Sequence, residues 1–332
     1  MRPIRSLHLM VCAVLLCLVL PALVSAHGFA GQRFFPTTLA IDDPFVSDEL
    51  SFLIRHIKEP GTGEGPDGPA PTQSRQESPT VSTEIAADYT KRLTPRLGLS
   101  LGGTFRHLDP DEGPTENGFG NLEVGAKYQV FTSVRSEALL SLGLTAEVGG
   151  TGSRTVGAES FSTLSPGLFF GKGFGDLPAS VPYLRPFALT GVLAAHVPTR
   201  RETVTRRVEP GSGEVAQGVE RNPITLSWGF TLQYNLQYLQ AFVKDVGLGT
   251  PFSRMIPLVE LALDTCLNRG CGGQTTGTVN PGVIWFGKYL QLGLEAVIPI
   301  NTRSGKNVGV LGLVHLFIDD LFPHSFGRPL FP

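Results

Sequence analysis

Between Pro223 and Asn235 the chain alternates without a break. Ile224, Leu226, Trp228, Phe230, Leu232 and Tyr234 fall at one parity; Thr225, Ser227, Gly229, Thr231, Gln233 and Asn235 fall at the other. Successive side chains of a strand point to opposite faces, so the segment has one wholly apolar face and one polar, uncharged face. A helix would mix the two sets. The length and the pattern suit a tilted strand crossing a bilayer, greasy outside and wet inside.

The same dyad recurs along the chain. Leu97, Leu99, Leu101 and Phe105 oppose Arg96, Ser100, Thr104 and Arg106; Leu122, Val124, Ala126 and Tyr128 oppose Glu123, Lys127 and Gln129. Leu140, Leu142, Leu144 and Ala146 oppose Ser141, Thr145 and Glu147. Val259, Leu261 and Leu263 oppose Glu260 and Asp264, and Leu290, Leu292, Leu294 and Ala296 oppose Gln291 and Glu295. Further strands are expected near Asp48–Ile57, Val81–Arg92, Phe161–Gly171, Tyr183–Val197, Gly277–Gly287 and Asn307–Phe317, the last ambiguous in facing because it is apolar at both parities. The expected fold is all-β: a transmembrane antiparallel up-and-down barrel of about twelve strands.

Connection lengths fit that topology. The odd-numbered connections, 58–80, 108–118, 150–160, 198–222, 266–276 and 301–306, are mostly long, polar and rich in Gly or Pro, as expected of outward loops. The even-numbered ones are short, apart from Leu236–Arg254, which is long enough for an interfacial helix. All six tyrosines, Tyr89, Tyr128, Tyr183, Tyr234, Tyr238 and Tyr289, fall at or near one end of the strands, joined by Trp285, as an aromatic belt requires. A secreted β-sandwich is the competing reading, in which the tyrosines would scatter.

The first 26 residues read as a cleaved secretory signal: Arg2 and Arg5, an apolar run from Leu7 to Leu20, and small residues up to Ala26. The mature chain would begin at His27, with 27–47 as a periplasmic or lumen segment, 48–317 as the barrel and 318–332 as a tail. Without Arg2 and Arg5, the 27 basic residues fall to 25 against 29 acidic ones, which gives no electrostatic case for nucleic acid. Cys266 and Cys271 are expected to form a local disulfide in an oxidising compartment. They lack the further ligands that zinc needs, so no metal site and no cofactor is expected.

Two stretches at the ends, HGFAGQRFFPTTLAIDDPFVSDELS and LFIDDLFPHSFGRPLF, resemble a group of proteobacterial outer-membrane proteins grouped with the transporter-like barrels of the phenol-degradation meta-pathway family. The resemblance implies a channel-like barrel for small organic solutes and supplies no functional residues. Barrels of this kind often end on an aromatic residue. This chain runs past Phe317 to Pro332, so either Phe317 closes the last strand and a tail follows, or the tail tucks into the lumen.

Facing assigns Glu84, Asp88, Arg96, Arg106, Glu123, Lys127, Glu147, Gln233, Glu260, Asp264 and Glu295 to the pore wall. Seven of these are acids and three are bases, so a water-filled pore would favour cations, unless the charges pair across the lumen. On this reading, neutralising Glu260 and Glu295 together lowers cation selectivity. The stretch Phe29–Asp48 carries no dyad; it either plugs the lumen or, more commonly, leads into the first strand.

Other chemistry is thin. DPDEG, with Asp109, Asp111 and Gly113, lacks the downstream Glu of a calcium loop, and His27 is a lone chelating residue at the mature N-terminus. An outer-wall hydrolase would need a Ser beside His107 and Asp109 or Asp111, and none shows at the right parity. The expectation is therefore a non-enzymatic Gram-negative outer-membrane channel for passive diffusion, with lipid, small solutes and the barrel-assembly machinery as partners. A non-conducting anchor and a hydrolase are the alternatives, the latter marked by a Ser, His and Asp cluster on one rim.

Overall fold

The computed structural model describes residues 28–61, 78–208, 215–269, 271 and 273–331. The signal sequence, His27 and much of the first long loop lie outside the described residues. A small hairpin, β1 (Phe29–Ala30) and β2 (Arg33–Phe34), comes first. The wall follows as β3 (Glu49–Glu59), β4 (Thr80–Thr94) and β5 (Leu97–Pro110), a short strand β6 (Glu116–Phe119), then β7 (Leu122–Ser133), β8 (Ala138–Val148), β9 (Thr163–Gly173) and β10 (Phe187–Pro198). After a loop hairpin, β11 (Glu202–Val208) and β12 (Val215–Arg221), the wall resumes with β13 (Thr225–Tyr234), β14 (Met255–Cys266), β15 (Thr275–Phe286), β16 (Leu290–Pro299) and β17 (Gly309–Phe317).

Each wall strand pairs antiparallel with its neighbours, and β17 returns to β3 in the register Val310↔His56 through Phe317↔Glu49. The sheet therefore closes into a barrel of twelve strands, with β6 a side extension on β5. Closure satisfies the backbone groups that an open edge would leave bare in lipid. Every expected strand is present. The seventh begins at Phe187 instead of Tyr183, because Pro182–Leu184 makes a 3-10 turn and Pro186 has no N–H for a ladder.

The dyad decides the facing. Phe230 and Leu232 project outward at 40% and 42% exposure, while Thr231 and Gln233, at the other parity, are sealed inside. In β17 the ambiguity resolves: Leu311, Leu313, His315 and Phe317 point inward, Val310 and Val314 outward. The inward residues are apolar because they meet protein instead of water. Ile256, Leu258, Ile284, Phe286, Val297, Leu311, Leu313 and Phe317 form one buried cluster with Phe34 and Leu39 of the N-terminal segment.

Five of the tyrosines keep the belt expected of them: Tyr89, 37% exposed, lies opposite Leu50 at the start of β3. Tyr128 lies opposite Leu97, Tyr234 ends β13, and Tyr183 and Tyr289 sit in short-turn-side connections. Tyr238 does not: it is 3% exposed, in a helical turn within the long connection after β13, and its hydroxyl donates to Glu137. The need of a buried phenol for a partner outweighs the interfacial preference there. Of the two readings of the C-terminus, Phe317 closes the last strand. The tail then runs along the short-turn rim, where the Leu330 and Phe331 N–H groups bond to the carbonyls of Arg92 and Leu93.

Candidate functional site: the occupied lumen

The segment after β2 enters the barrel from the short-turn rim, and each part is held by chemistry that its sequence supplies. At the entrance, the Arg33 guanidinium lies 3.1 Å from the Glu137 carboxylate, donates to the carbonyl of Pro186 at 2.9 Å, and stacks 3.9 Å above the Tyr238 ring. Burial lowers the Arg33 pKa, and Glu137 opposes that shift. Burial also raises the Tyr238 pKa, with Glu137 adding to it. Glu137 itself sits at φ 47°, a left-handed conformation uncommon for a non-glycine residue. Its bonds to Arg33, Tyr238 and the Gly175 N–H hold it there.

Deeper in, apolar and polar contacts alternate. Phe34 packs on Phe286 at a centroid distance of 4.8 Å, and Leu39 enters the apolar cluster. Burial of each such side chain contributes about 1.5–3 kcal/mol. The Glu260 carboxylate receives three consecutive backbone N–H groups, from Leu39 at 3.0 Å, Ala40 at 2.8 Å and Ile41 at 3.0 Å. Gln291 bonds reciprocally to the backbone of Thr37, and the Ser141 hydroxyl donates to the carbonyl of Pro44. Lys127 donates to Asp42 at 3.0 Å and to the Asp43 carbonyl at 2.8 Å. At the exit into β3, Asp48 is gripped by Lys91 and Arg92. Wall glycines make room: a Cβ on Gly293 would lie 2.7 Å from Leu39, and one on Gly98 2.8 Å from Val46.

The segment fills the β14–β17 side of the lumen and leaves a cavity of about 380 Å³ on the other. Its acids are Asp42, Asp43, Glu49, Asp88 and Glu123, and its base is Lys127; Phe169, Leu53 and Val46 supply apolar wall. Three of the eleven residues assigned to the pore wall from sequence, Asp88, Glu123 and Lys127, meet here.

The others have different surroundings. Glu84 pairs with Arg55 at 3.4 Å and Arg106 at 3.1 Å, so its charge is matched. Glu147 accepts from Asn121 at 2.8 Å, and Asp264 accepts from Ser227. Gln233, Glu260 and Glu295 are at most 1% exposed and face protein instead of a water path. Arg96 stands exposed in the turn between β4 and β5, outside the lumen wall, because the turn ends before the inward parity begins. Asp42, Asp43, Glu49, Thr37 and His315 escaped the sequence reading. The signal was present in the acidic pair of a Phe-rich segment without a dyad.

Cys266 and Cys271 are bonded, with Cα atoms 5.8 Å apart, in the loop joining β14 to β15. Asp111 pairs with Lys58 at 2.7 Å, and Asp109 accepts from Thr115, so local partners occupy both acids of the DPDEG stretch.

No family model matches the chain. No curated protein matches it either. Among solved structures, an outer membrane channel from Pseudomonas putida F1 is similar at a TM-score of 0.53 and 12% identity, covering 86% of this chain and 99% of that one. The NanC porin gives 0.42 at 8% identity over 80% and 98% of the two chains, and the beta domain of the Bordetella autotransporter BrkA gives 0.45 at 13% over 82% and 99%. Of these three, the first alone exceeds 0.5, and at its low identity it speaks for the fold. The chain is a closed twelve-strand antiparallel barrel with the fold of an outer-membrane channel.

Proposed function

We propose that this protein is a Gram-negative outer-membrane channel for passive diffusion of small solutes, with the cavity beside its N-terminal segment as the narrow part of the path. The observation that carries the reading is the charge balance there. Asp42, Asp43, Asp88 and Glu123 face one base, Lys127, whose ammonium is already committed to Asp42 and Asp43, while Glu49 lies 3.7 Å from the His315 imidazole. Unmatched carboxylates on a low-dielectric wall draw cations and repel anions. The apolar remainder of the wall suits small organic compounds, as the resemblance to the phenol-degradation meta-pathway barrels implies. Residues 1–26 act as the export signal, and the outward apolar belt faces lipid after insertion by the assembly machinery. The long loops then lie outside the cell and the short turns in the periplasm.

The test is single-channel recording of the refolded mature protein in a planar bilayer, with reversal potentials in asymmetric salt. Small, stable, cation-preferring steps are expected. Silence from protein that circular dichroism shows to be folded would overturn the channel and favour a non-conducting anchor, for which the filled β14–β17 side argues.

A further inference from the structure

Near the long-loop rim, four inward-facing side chains form a hydrogen-bonded row across β9, β10, β13 and β14. Ser165 Oγ lies 2.7 Å from His196 Nδ1, and His196 Nε2 lies 2.7 Å from Ser227 Oγ. The Ser227 hydroxyl in turn donates to the Asp264 carboxylate. None of the four takes part in holding the N-terminal segment.

The direction of each bond follows from its far end. An ionised carboxylate only accepts, so Ser227 gives its proton to Asp264. The Ser227 oxygen is then left to accept, and the group facing it must be Nε2–H. That fixes the imidazole tautomer: Nδ1 carries the free lone pair, and the hydroxyl of Ser165 points its proton at it. A serine donating to an imidazole held in one tautomer by an outer acid is the arrangement that activates a nucleophile.

The backbone adds an independent feature. Pairing between β9 and β10 runs continuously from Ala188↔Gly173 to Ala194↔Gly167, lapses where Ala195 faces Pro166 and His196 faces Ser165, and resumes at Val197↔Leu164. Pro166 has no N–H to contribute, so the ladder is interrupted beside the reactive pair. Asp264 is exposed and Ser165 half-buried, so the row opens to the long-loop side.

We propose that Ser165 is a base-activated nucleophile that captures small carboxylic or phosphonic esters entering from the long-loop side, an activity beyond the channel function. Ser165 Oγ attacks the carbonyl carbon and passes its proton to His196 Nδ1. The ester C–O bond then breaks, and the leaving alkoxide takes that proton and departs as the alcohol. Ser165 is left acylated, with no oxidant or cofactor required. His196 is the general base; Ser227 and Asp264 position it. Among the described residues the wall presents sheet backbone at this point and no helix N-terminus, so the site is suited to stoichiometric acylation.

The experiment exposes the folded full-length mature barrel to a fluorophosphonate, whose P–F bond breaks as the Ser165 Oγ–P bond forms, and maps the adduct by peptide mass spectrometry. Labelling is expected at Ser165 ahead of other exposed serines, slowed about 100-fold or more in His196→Gln. The rate should rise with pH, because a general base acts only in its unprotonated form. Asp264→Asn should displace that profile, an effect that loss of a merely structural bond would not produce. Absence of label at Ser165 in folded protein, equal labelling in His196→Gln, or a flat pH profile each overturns the proposal. The wild-type profile decides the matter if His196→Gln does not fold.

Discussion

The Glu260 carboxylate lies 3.0 Å from the backbone nitrogen of Leu39, 221 residues away in sequence. A residue that parity places on a water-filled wall instead holds the chain that fills the lumen. One carboxylate taking three successive backbone N–H groups acts as an anchor, because each donor would otherwise be buried without a partner.

Glu260→Ala should therefore loosen the segment. A buried donor left unpaired costs about 1–3 kcal/mol, so removing the acceptor of three moves the balance between seated and released segment by a factor of ten or more. Larger and noisier conductance is expected, together with new protease cuts between 29 and 48. Unchanged traces and an unchanged digest would show that the apolar contacts alone hold the segment.

Selectivity should follow other acids. Asp88 and Glu123 line the open cavity, whereas Glu260 and Glu295 lie beneath the segment. The double change Asp88→Asn with Glu123→Gln should bring the cation-to-anion permeability ratio toward one, read from reversal potentials. Glu260→Gln with Glu295→Gln should alter step size more than reversal potential. The opposite ranking would return the selectivity to the Glu260 side of the wall.

The barrel was legible because lipid imposes one rule on every strand, and the dyad of 224–234 states that rule openly. Even Val308–Phe317, apolar at both parities, was recognisable as a strand. Its facing was not, because Leu311, Leu313 and Phe317 point into a lumen filled by Phe34 and Leu39, and a polar inner face is expected only where water lines the pore. Parity turns Asp88, Glu123 and Lys127 inward, and they line the open cavity. It does not reach Asp42 and Asp43, since they sit on a chain without period whose place depends on contacts with β7, β14 and β16. Parity gives a side chain's direction and leaves open what stands in front of it. That is why Glu260 was assigned to the right face and the wrong task.

Arg33 sets the entrance. Replacing it by Met leaves Glu137 buried without its cation, and breaking a buried pair in this way costs about 3–5 kcal/mol. Release of the 28–34 hairpin relieves that cost by letting water reach Glu137. Arg33→Met should thus expose the hairpin to chymotrypsin, at Phe29 or Phe34, while the barrel resists, and Arg33→Met with Glu137→Leu should restore much of the protection. Equal susceptibility of the single and double variants would mean that the pair contributes no more than its separate hydrogen bonds.

Deleting residues 29–45 tests the segment as a whole. The wall closes through β3 and β17 without it, and Glu49–Glu59 keeps its ladders on both sides, so the barrel should still form. Its lumen would be wider, but lined on one side by Ile256, Leu258, Ile284 and Leu313 now facing water. Conductance should rise several-fold and cation preference should fall, since Asp42 and Asp43 leave with the segment while Lys127 stays and loses both partners. Thermal unfolding in detergent should come earlier, because the buried Phe34, Phe35 and Leu39 contribute about 1.5–3 kcal/mol each. A deletion variant that conducts no better than the parent would place the narrowest point elsewhere, among the long loops.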